Sequence, residues 1–291
     1  MTQYRKKMYN MNIAVVGLGL IGGSFCKALK KNTFHHIMGI DTNRDAISKA
    51  IEYGAIDEEI TPGRLGEANL TIICLYPQAI VNFVKEYAQF FKKGGIVIDS
   101  CGIKEYVVNE CTPVLDEQGV IFVGTHPMAG REFSGFDYSQ DDLFKGASFI
   151  ITPTEKTPQI AVDLLQTLAG SIGFGKAVVS TPQKHDEVIA YTSQLAHVVS
   201  NAYVKSPSML SYDGFSAGSF QDLTRVAKLN EYMWSELFMC NKTALLNEIN
   251  CILEHITEYR DAIQNNDIER LTQILRDGRV LKEKSIELYN K

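Results

Sequence analysis

His126 stands in the run Gly124-Thr125-His126-Pro127-Met128-Ala129-Gly130-Arg131-Glu132, directly after the apolar Ile121-Phe122-Val123. An imidazole has an ordinary pKa of about 6.5, so near neutral pH it can take a proton from a reacting group. Pro127 stiffens the chain behind it, and Gly130 permits close backbone approach. An isolated histidine at the end of a strand is more often a cap; the residues around this one argue for chemistry. A second group is Gly17-Leu18-Gly19-Leu20-Ile21-Gly22. There Gly17 makes a tight turn, Gly19 lets backbone approach a pyrophosphate, and Gly22 allows a helix to lie against a sheet. Leu20 and Ile21 open that helix, whose free N–H groups and partial positive charge suit phosphates. Asp41 follows 22 residues after Gly19, where a carboxylate accepts from ribose hydroxyls and repels a 2′-phosphate. NAD is therefore favoured over NADP, although Arg44 keeps NADP open. Ligands of open α/β sheets lie beyond the carboxyl ends of the strands, which places His126 where the nicotinamide ring belongs.

Two further groups occur in the second half. Val188–Val204 contains no charged residue, and within it Ser193, His197 and Asn201 recur every four positions. Val188, Tyr191, Leu195, Val199 and Ala202 make up the opposite, apolar face of the same helix. A solvated face normally carries Lys or Glu, so the uncharged stripe implies a covered surface, either a ligand cleft or a buried polar network between helices. Asp222 and Arg225 are three apart on a helix expected to begin at Ser219 as its N-cap, a spacing that also suits an intrahelical ion pair worth about 0.2–0.5 kcal/mol.

These groups need a scaffold, and the chain's patterning supplies one. Strands are expected at Asn12–Val16, His36–Asp41, Leu70–Leu75, Ile96–Ile98, Val120–Val123 and Phe149–Thr152. Helices are expected at Ile21–Lys31, Arg44–Tyr53, Gln78–Phe91 and Lys104–Leu115. Strands alternating with such helices imply an α/β domain with a parallel sheet covered on both faces. After Pro158 strand-like runs nearly vanish, apart from Ala177–Val179. Long helical periods cover Pro182–Val204, Glu231–Ile263 and Ile268–Tyr289. The expected division is residues 1–153 as a dinucleotide-binding domain and 154–291 as a helical one.

With 291 residues, 45% hydrophobic and 22% charged, the chain is long enough for two cores and has the composition of a globular protein. A net charge of −5 gives no electrostatic case for nucleic acid or an anionic membrane. Arg5-Lys6-Lys7 before the run from Ile13 superficially resembles a secretion signal, but glycines break that run and no cleavage-site pattern follows. The six cysteines form no C-x-x-C pair and no zinc spacing with histidine. No metal is expected, and free thiols in the cytoplasm are the simpler reading. Met1–Asn10 reads as a short tail.

The run GTHPMAGRE with Ser134-Gly135 beyond it resembles the HPMAG-x-E-x-SG signature of the prephenate and arogenate dehydrogenase family. The likeness extends to the glycine turn, to Ser193 and His197, and to Gln221-Asp222-Leu223-Thr224-Arg225 with Trp234 downstream. It implies a Rossmann-like domain followed by an all-helical dimerisation domain, with homodimers formed through the latter. It also implies NAD-dependent oxidation and decarboxylation of prephenate to 4-hydroxyphenylpyruvate, the precursor of tyrosine. By the same likeness His126 is the base at the C4 hydroxyl, and Arg225 holds a substrate carboxylate with Asp222 orienting it. Ser193 and His197 line the substrate's polar end, Glu132 belongs to an ionic network at the cleft mouth, and Trp234 is read as packing. Neither a regulatory amino-acid-binding domain after Lys291 nor a mutase module before Met11 is expected. In one place the chain departs from the family: relatives often carry serine in a D-x-G-S-V-K-like loop where Asp99-Ser100-Cys101-Gly102-Ile103-Lys104 has Gly102. Arogenate as substrate, a β-hydroxyacid dehydrogenase, and a non-catalytic NAD-sensing dimer are the alternatives.

Overall fold

The computed structural model describes residues 10–131 and 133–289. All but the last residue of the expected tail, and Glu132, lie outside that range. Among the described residues eight strands form one sheet, in the order β3-β2-β1-β4-β5-β6-β7-β8. They are β1 (Asn12–Val16), β2 (His36–Ile40), β3 (Glu58–Glu59), β4 (Leu70–Ile73), β5 (Ile96–Asp99), β6 (Ile121–Pro127), β7 (Ser148–Thr152) and β8 (Lys176–Val179). Neighbours are parallel except β6 and β7. Helices α1 (Leu20–Asn32), α2 (Arg44–Glu52), α3 (Pro77–Tyr87) and α4 (Glu105–Asp116) lie between the parallel strands in sequence.

Side chains alternate across a strand, and in β1 both faces are apolar. Ile13 and Val15 enter one core, Ala14 and Val16 the other. Local signals fix the helix starts: the Asn43 side chain accepts from the N–H of Asp45 and of Ala46 ahead of α2. β1 lies between β2 and β4, so the strand order reverses there, and a crevice opens at the carboxyl ends. From β1 through β4 and β5 to β6 there are three strand steps, about 14 Å along the sheet edge.

The sheet does not stop at residue 153. Helix α5 (Gln159–Ser171) sets Ala161, Leu165 and Leu168 in the same core as Phe25, Phe144, Phe149 and Phe174. β8 then pairs with β7. Residues 154–179, grouped by composition with the helical half, thus belong with the sheet. One short exposed-edge strand was too weak a signal against a long helical run.

Beyond Val179 the described residues contain no strand. α6 (Pro182–Ile189), a π turn (Ala190–Gln194) and α7 (Leu195–Tyr203) follow, then α8 (Gly218–Thr224) and α9 (Glu231–Cys240). These complete a compact unit that ends at Asn241. The unit from Lys242 onward consists of α10 (Lys242–Gln264) and α11 (Ile268–Tyr289), joined through Asn266 at φ 55°. Within it Arg270 pairs with Glu258 at 2.9 Å, while Leu253, Ile256, Ile263, Leu275, Leu281 and Leu288 remain exposed. Among the described residues no helix is long and apolar enough to cross a membrane, and no group of three or more His, Cys, Asp or Glu could hold a metal. The cysteines are free; Cys26, Cys101 and Cys111 are buried, whereas Cys251 is exposed.

Candidate active site

The glycine turn at the end of β1 is built by contact. Gly17 has φ 86°, a region side chains avoid, and a Cβ there would come within 2.5 Å of the Cys74 carbonyl oxygen. A Cβ on Gly22 would run into the carbonyl oxygen of Gly17. Gly19 differs: nothing lies within 4 Å of where its Cβ would be. Gly19 is the N-cap of α1, with no side-chain cap and no acidic residue in the first turn. Leu20 and Ile21 therefore begin a helix whose positive end meets open space, which fits a pyrophosphate.

Asp41 follows β2 and is fastened to that turn. Its Oδ2 accepts the Leu18 N–H at 2.6 Å and its Oδ1 the Asn43 N–H at 2.7 Å, and each oxygen keeps lone-pair capacity for a ribose hydroxyl. Arg44 is committed elsewhere, in a two-armed pair with Glu59. The cation that kept NADP open is thus already engaged by a carboxylate. Glycine turn, uncapped helix and acidic residue together fit NAD.

His126 lies near the carboxyl end of β6, three strands along. The residue before it is gripped from behind. Thr125 N–H donates to Asp99 Oδ1 at 3.0 Å, and Lys104 Nζ donates to the Thr125 carbonyl at 2.7 Å while pairing with Asp99. Lys104 and Asp99 are both fully buried. His126 Nδ1 is 2.9 Å from His185 Nε2, and His185 Nδ1 is 2.7 Å from Asp186 Oδ1. Asp186 also accepts the N–H groups of Lys104 and Glu105, at 2.7 and 2.8 Å, in the first turn of α4. Burial, and then the neighbouring His185 and Lys104, hold His126 well below the ordinary histidine value. The Nε2 edge of His126 faces Gly102: a Cβ there would lie 3.9 Å from Nε2 and Cε1, and 3.7 Å from Leu237. That is ordinary contact, so the position has room for a Cβ.

A second histidine borders the same helix. Leu237 and Trp234, three apart, share one face of α9, and Trp234 stacks on His197 of α7 with ring centroids 3.7 Å apart. His197 Nδ1 donates to the Ser193 carbonyl at 3.0 Å. Gln194 Nε2 donates to the Leu237 carbonyl at 3.1 Å, tying the π turn to α9. Burial, opposed by the Ser193 bond and aided by the charge of Arg225, lowers the pKa of His197.

Ser193, His197 and Asn201 are each half-buried, but the apolar face expected opposite them is not formed. Leu195 is buried, whereas Val188, Tyr191 and Ala202 are exposed. The π turn bonds i to i+5 where an α-helix bonds i to i+4, so spacing counted from Val188 does not survive it. α8 begins at Gly218 after an uncapped Ala217, and Ser219 is not its N-cap. That helix ends at Thr224, and Arg225 opens a separate 3₁₀ turn. Asp222 is exposed and enters no ion pair with another described residue, so the intrahelical pair that its spacing from Arg225 also allowed is not formed.

A family model described as the prephenate dehydrogenase nucleotide-binding domain matches residues 25–180, and one described as the prephenate dehydrogenase dimerization domain matches residues 181–277. The chain belongs to the prephenate dehydrogenase family. The prephenate dehydrogenase of Bacillus subtilis is 31% identical over 287 residues, covering 94% of this chain and 77% of that one. The solved prephenate dehydrogenase of Aquifex aeolicus, in complex with hydroxyphenyl propionate and NAD+, has a TM-score of 0.85 at 28% identity over 96% of this chain and 99% of that one. The arogenate dehydrogenase of Synechocystis has a TM-score of 0.81 at 25% identity, with 94% and 100% covered. The two family models meet at 180/181, just after β8.

This member of the prephenate dehydrogenase family brings to His126 two residues that its sequence alone did not single out, His185 and, behind it, Asp186, while Lys104 and Asp99, the two ends of the loop that departs from the family, hold Thr125. His185 and Asp186 fall at the start of a helix, where polar residues read as solvated. The one available signal was that both are buried types only when paired, and the partner of His185 is 59 residues away. Glu132 is the one expected site residue outside the described range.

Proposed function

We propose that the chain is an NAD-dependent prephenate dehydrogenase, an oxidoreductase of tyrosine biosynthesis that converts prephenate to 4-hydroxyphenylpyruvate and carbon dioxide. The observation that carries this reading is His126, kept neutral at the carboxyl edge of the same sheet whose first strand ends in the glycine turn. Bound NAD supplies the acceptor for the hydride that leaves C4 of the substrate. Gly17, Gly19 and Gly22, with the amides of Leu20 and Ile21, hold the pyrophosphate, and Asp41 the ribose. His126 Nε2 takes the proton of the C4 hydroxyl. Loss of the ring carboxylate then leaves an aromatic ring, so the protein's part is to orient the substrate and receive one proton. Arg225 holds a carboxylate through its planar guanidinium, which matches that geometry with paired donors. Ser193 and His197 border the side chain; by likeness to the family we assign Asp222 the role of orienting Arg225, and Glu132 a role in an ionic network at the cleft mouth.

A second reading has a specific observation behind it. His197 gives its Nδ1 proton to the Ser193 carbonyl, which leaves Nε2 an acceptor in the neutral ring. An acceptor suits the ammonium group of arogenate better than the ketone of prephenate. Purified protein mixed with prephenate and NAD produces reduced cofactor, followed by its absorbance; repeating with arogenate and with NADP ranks the pairs. Absence of reduction with either acid would reject both readings and leave an NAD-binding protein. The helical part from residue 181 pairs two copies, with no nucleic acid or membrane partner, and the free thiols suit the cytoplasm.

A further inference from the structure

We propose that His185 and Asp186 are positioning residues that fix the resting proton of His126 on Nδ1, so that Nε2 faces the substrate as the base. The inference rests on the reading of His126 as the group that takes the substrate proton. Its geometric part stands without that reading.

The assignment runs outward from Asp186. Its Oδ1 accepts from the Lys104 N–H at 2.7 Å and lies 2.7 Å from His185 Nδ1, while Oδ2 accepts from the Glu105 N–H at 2.8 Å. Two backbone donors at the start of α4 leave this group the acceptor of its contact with His185, so His185 Nδ1 carries a proton. A neutral His185 then has a lone pair on Nε2, and the 2.9 Å contact is filled by the Nδ1–H of His126. That leaves the His126 Nε2 lone pair at the edge facing Gly102. The two ring planes stand 67° apart, with centroids 5.1 Å from each other.

The charged and titratable groups around the pair come from three elements. Lys104 and Asp99 stand behind Thr125, the first from the start of α4 and the second from β5, and Asp186 stands on α6 beside His185. Lys104 disfavours a positive charge on either ring, and burial acts the same way. At His185 alone Asp186 and, more weakly, Asp99 oppose this, and burial still outweighs them. Both rings therefore rest neutral, as the assignment requires.

The backbone that carries the pair is pinned independently. Asn241 Nδ2 donates to the Asp186 carbonyl at 2.9 Å and to Gln194 Oε1 at 2.8 Å, and Gln194 in turn reaches Leu237. The end of α9 thus locks the histidine pair to the wall that carries Trp234 and Leu237. In turnover the substrate O–H bond breaks and a His126 Nε2–H bond forms. The new positive charge is shared through Nδ1–H toward His185 and Asp186, with no further proton needing to move.

Long-range proton–nitrogen spectra of the ¹⁵N-histidine-labelled full chain, at pH 7.5 without substrate, test the inference directly. The expected result is a protonated Nδ1 and a bare Nε2 on His126. The His185→Gln variant, whose amide oxygen can still accept, keeps that pattern and stays within several-fold of wild-type kcat. The His185→Leu variant loses the pattern and drops kcat by about 100-fold, with the KM for NAD unchanged. A wild-type spectrum showing the proton on Nε2 overturns the inference, as does an unchanged pattern and kcat in His185→Leu. If His185→Leu does not fold, the wild-type spectrum and His185→Gln decide. A wild type with the expected spectrum but no turnover of prephenate or arogenate would reject the proposed activity and leave the assignment standing.

Discussion

The imidazole of His197 lies nearly flat on the indole of Trp234, with ring planes 27° apart. An aromatic contact of this kind is worth about 0.5–1.5 kcal/mol beyond area burial, and with the Ser193 bond it leaves the ring little freedom. Trp234, read from sequence as packing, is the surface against which His197, proposed above to border the substrate, is set. The Trp234→Leu variant is expected to raise the KM for the ring substrate by about 2- to 12-fold, the equivalent of that energy, with kcat nearly unchanged. Steady-state kinetics at saturating NAD measures this; a lower kcat at constant KM would assign Trp234 a different job.

The acid side of the pH profile follows from His126. Its folded-state pKa lies well below the ordinary value of about 6.5, and only the neutral ring can take a proton. kcat/KM for the ring substrate is therefore expected to hold steady down through pH 6.5 and to fall only at more acidic values. Stability has the same sign. A depressed folded-state value contributes stability that is fully present above the unfolded pKa and lost as pH falls below it. Melting temperatures of wild type should decline below about pH 6.5 more steeply than those of His126→Gln. An acid limb centred above that value would place the base elsewhere.

Removing the base and removing the anchor should separate cleanly. His126→Asn is expected to bind substrate normally and lose most turnover. Arg225→Gln is expected to raise KM by the about 1.5–3 kcal/mol of a charge-assisted bond, roughly 10- to 150-fold, with a smaller effect on kcat. Wild-type turnover in the first variant would remove His126 from the chemistry, and an unchanged KM in the second would give the carboxylate to another group.

Two glycines of one motif should respond oppositely. Gly19→Ala adds a methyl where nothing lies within 4 Å, at φ −74°, so the melting temperature should not fall. The methyl occupies the approach to the helix start, and NAD binding by calorimetry should weaken at least 10-fold. Gly22→Ala meets the backbone carbonyl of Gly17 and should destabilise the fold itself. Equal NAD affinity in wild type and Gly19→Ala would move the pyrophosphate away from this turn.

The sheet was largely legible because its signals are local. β1, β2 and β4 to β7 fall where apolar runs sit between turn residues, and the helices between them repeat at helical spacing. β8 was seen as a short run but not joined to the sheet, since its partner β7 reverses direction after a loop that no periodicity describes. In the site, His126 and the glycine turn were legible because each sits inside a motif of consecutive residues. The contacts that decide their state are not consecutive. Asp99 and Lys104 are legible as the ends of one loop, but that they pair with each other and hold Thr125 shows only in the fold. Asp222 and Arg225 stay three apart on a short helix that tightens into a 3₁₀ turn at Arg225, an ending that nothing in their types announces.

The π turn at Ala190–Gln194 lets a single rod of chain aim at two targets. Upstream of it His185 points to His126; downstream His197 meets the indole of Trp234. One residue more or less in an α-helix swings everything after it through about 100°. Removing one residue from this turn would keep the rod and both histidines yet turn them out of register with each other. A fold of this kind can therefore lose its coordination between proton and substrate without losing a single functional side chain.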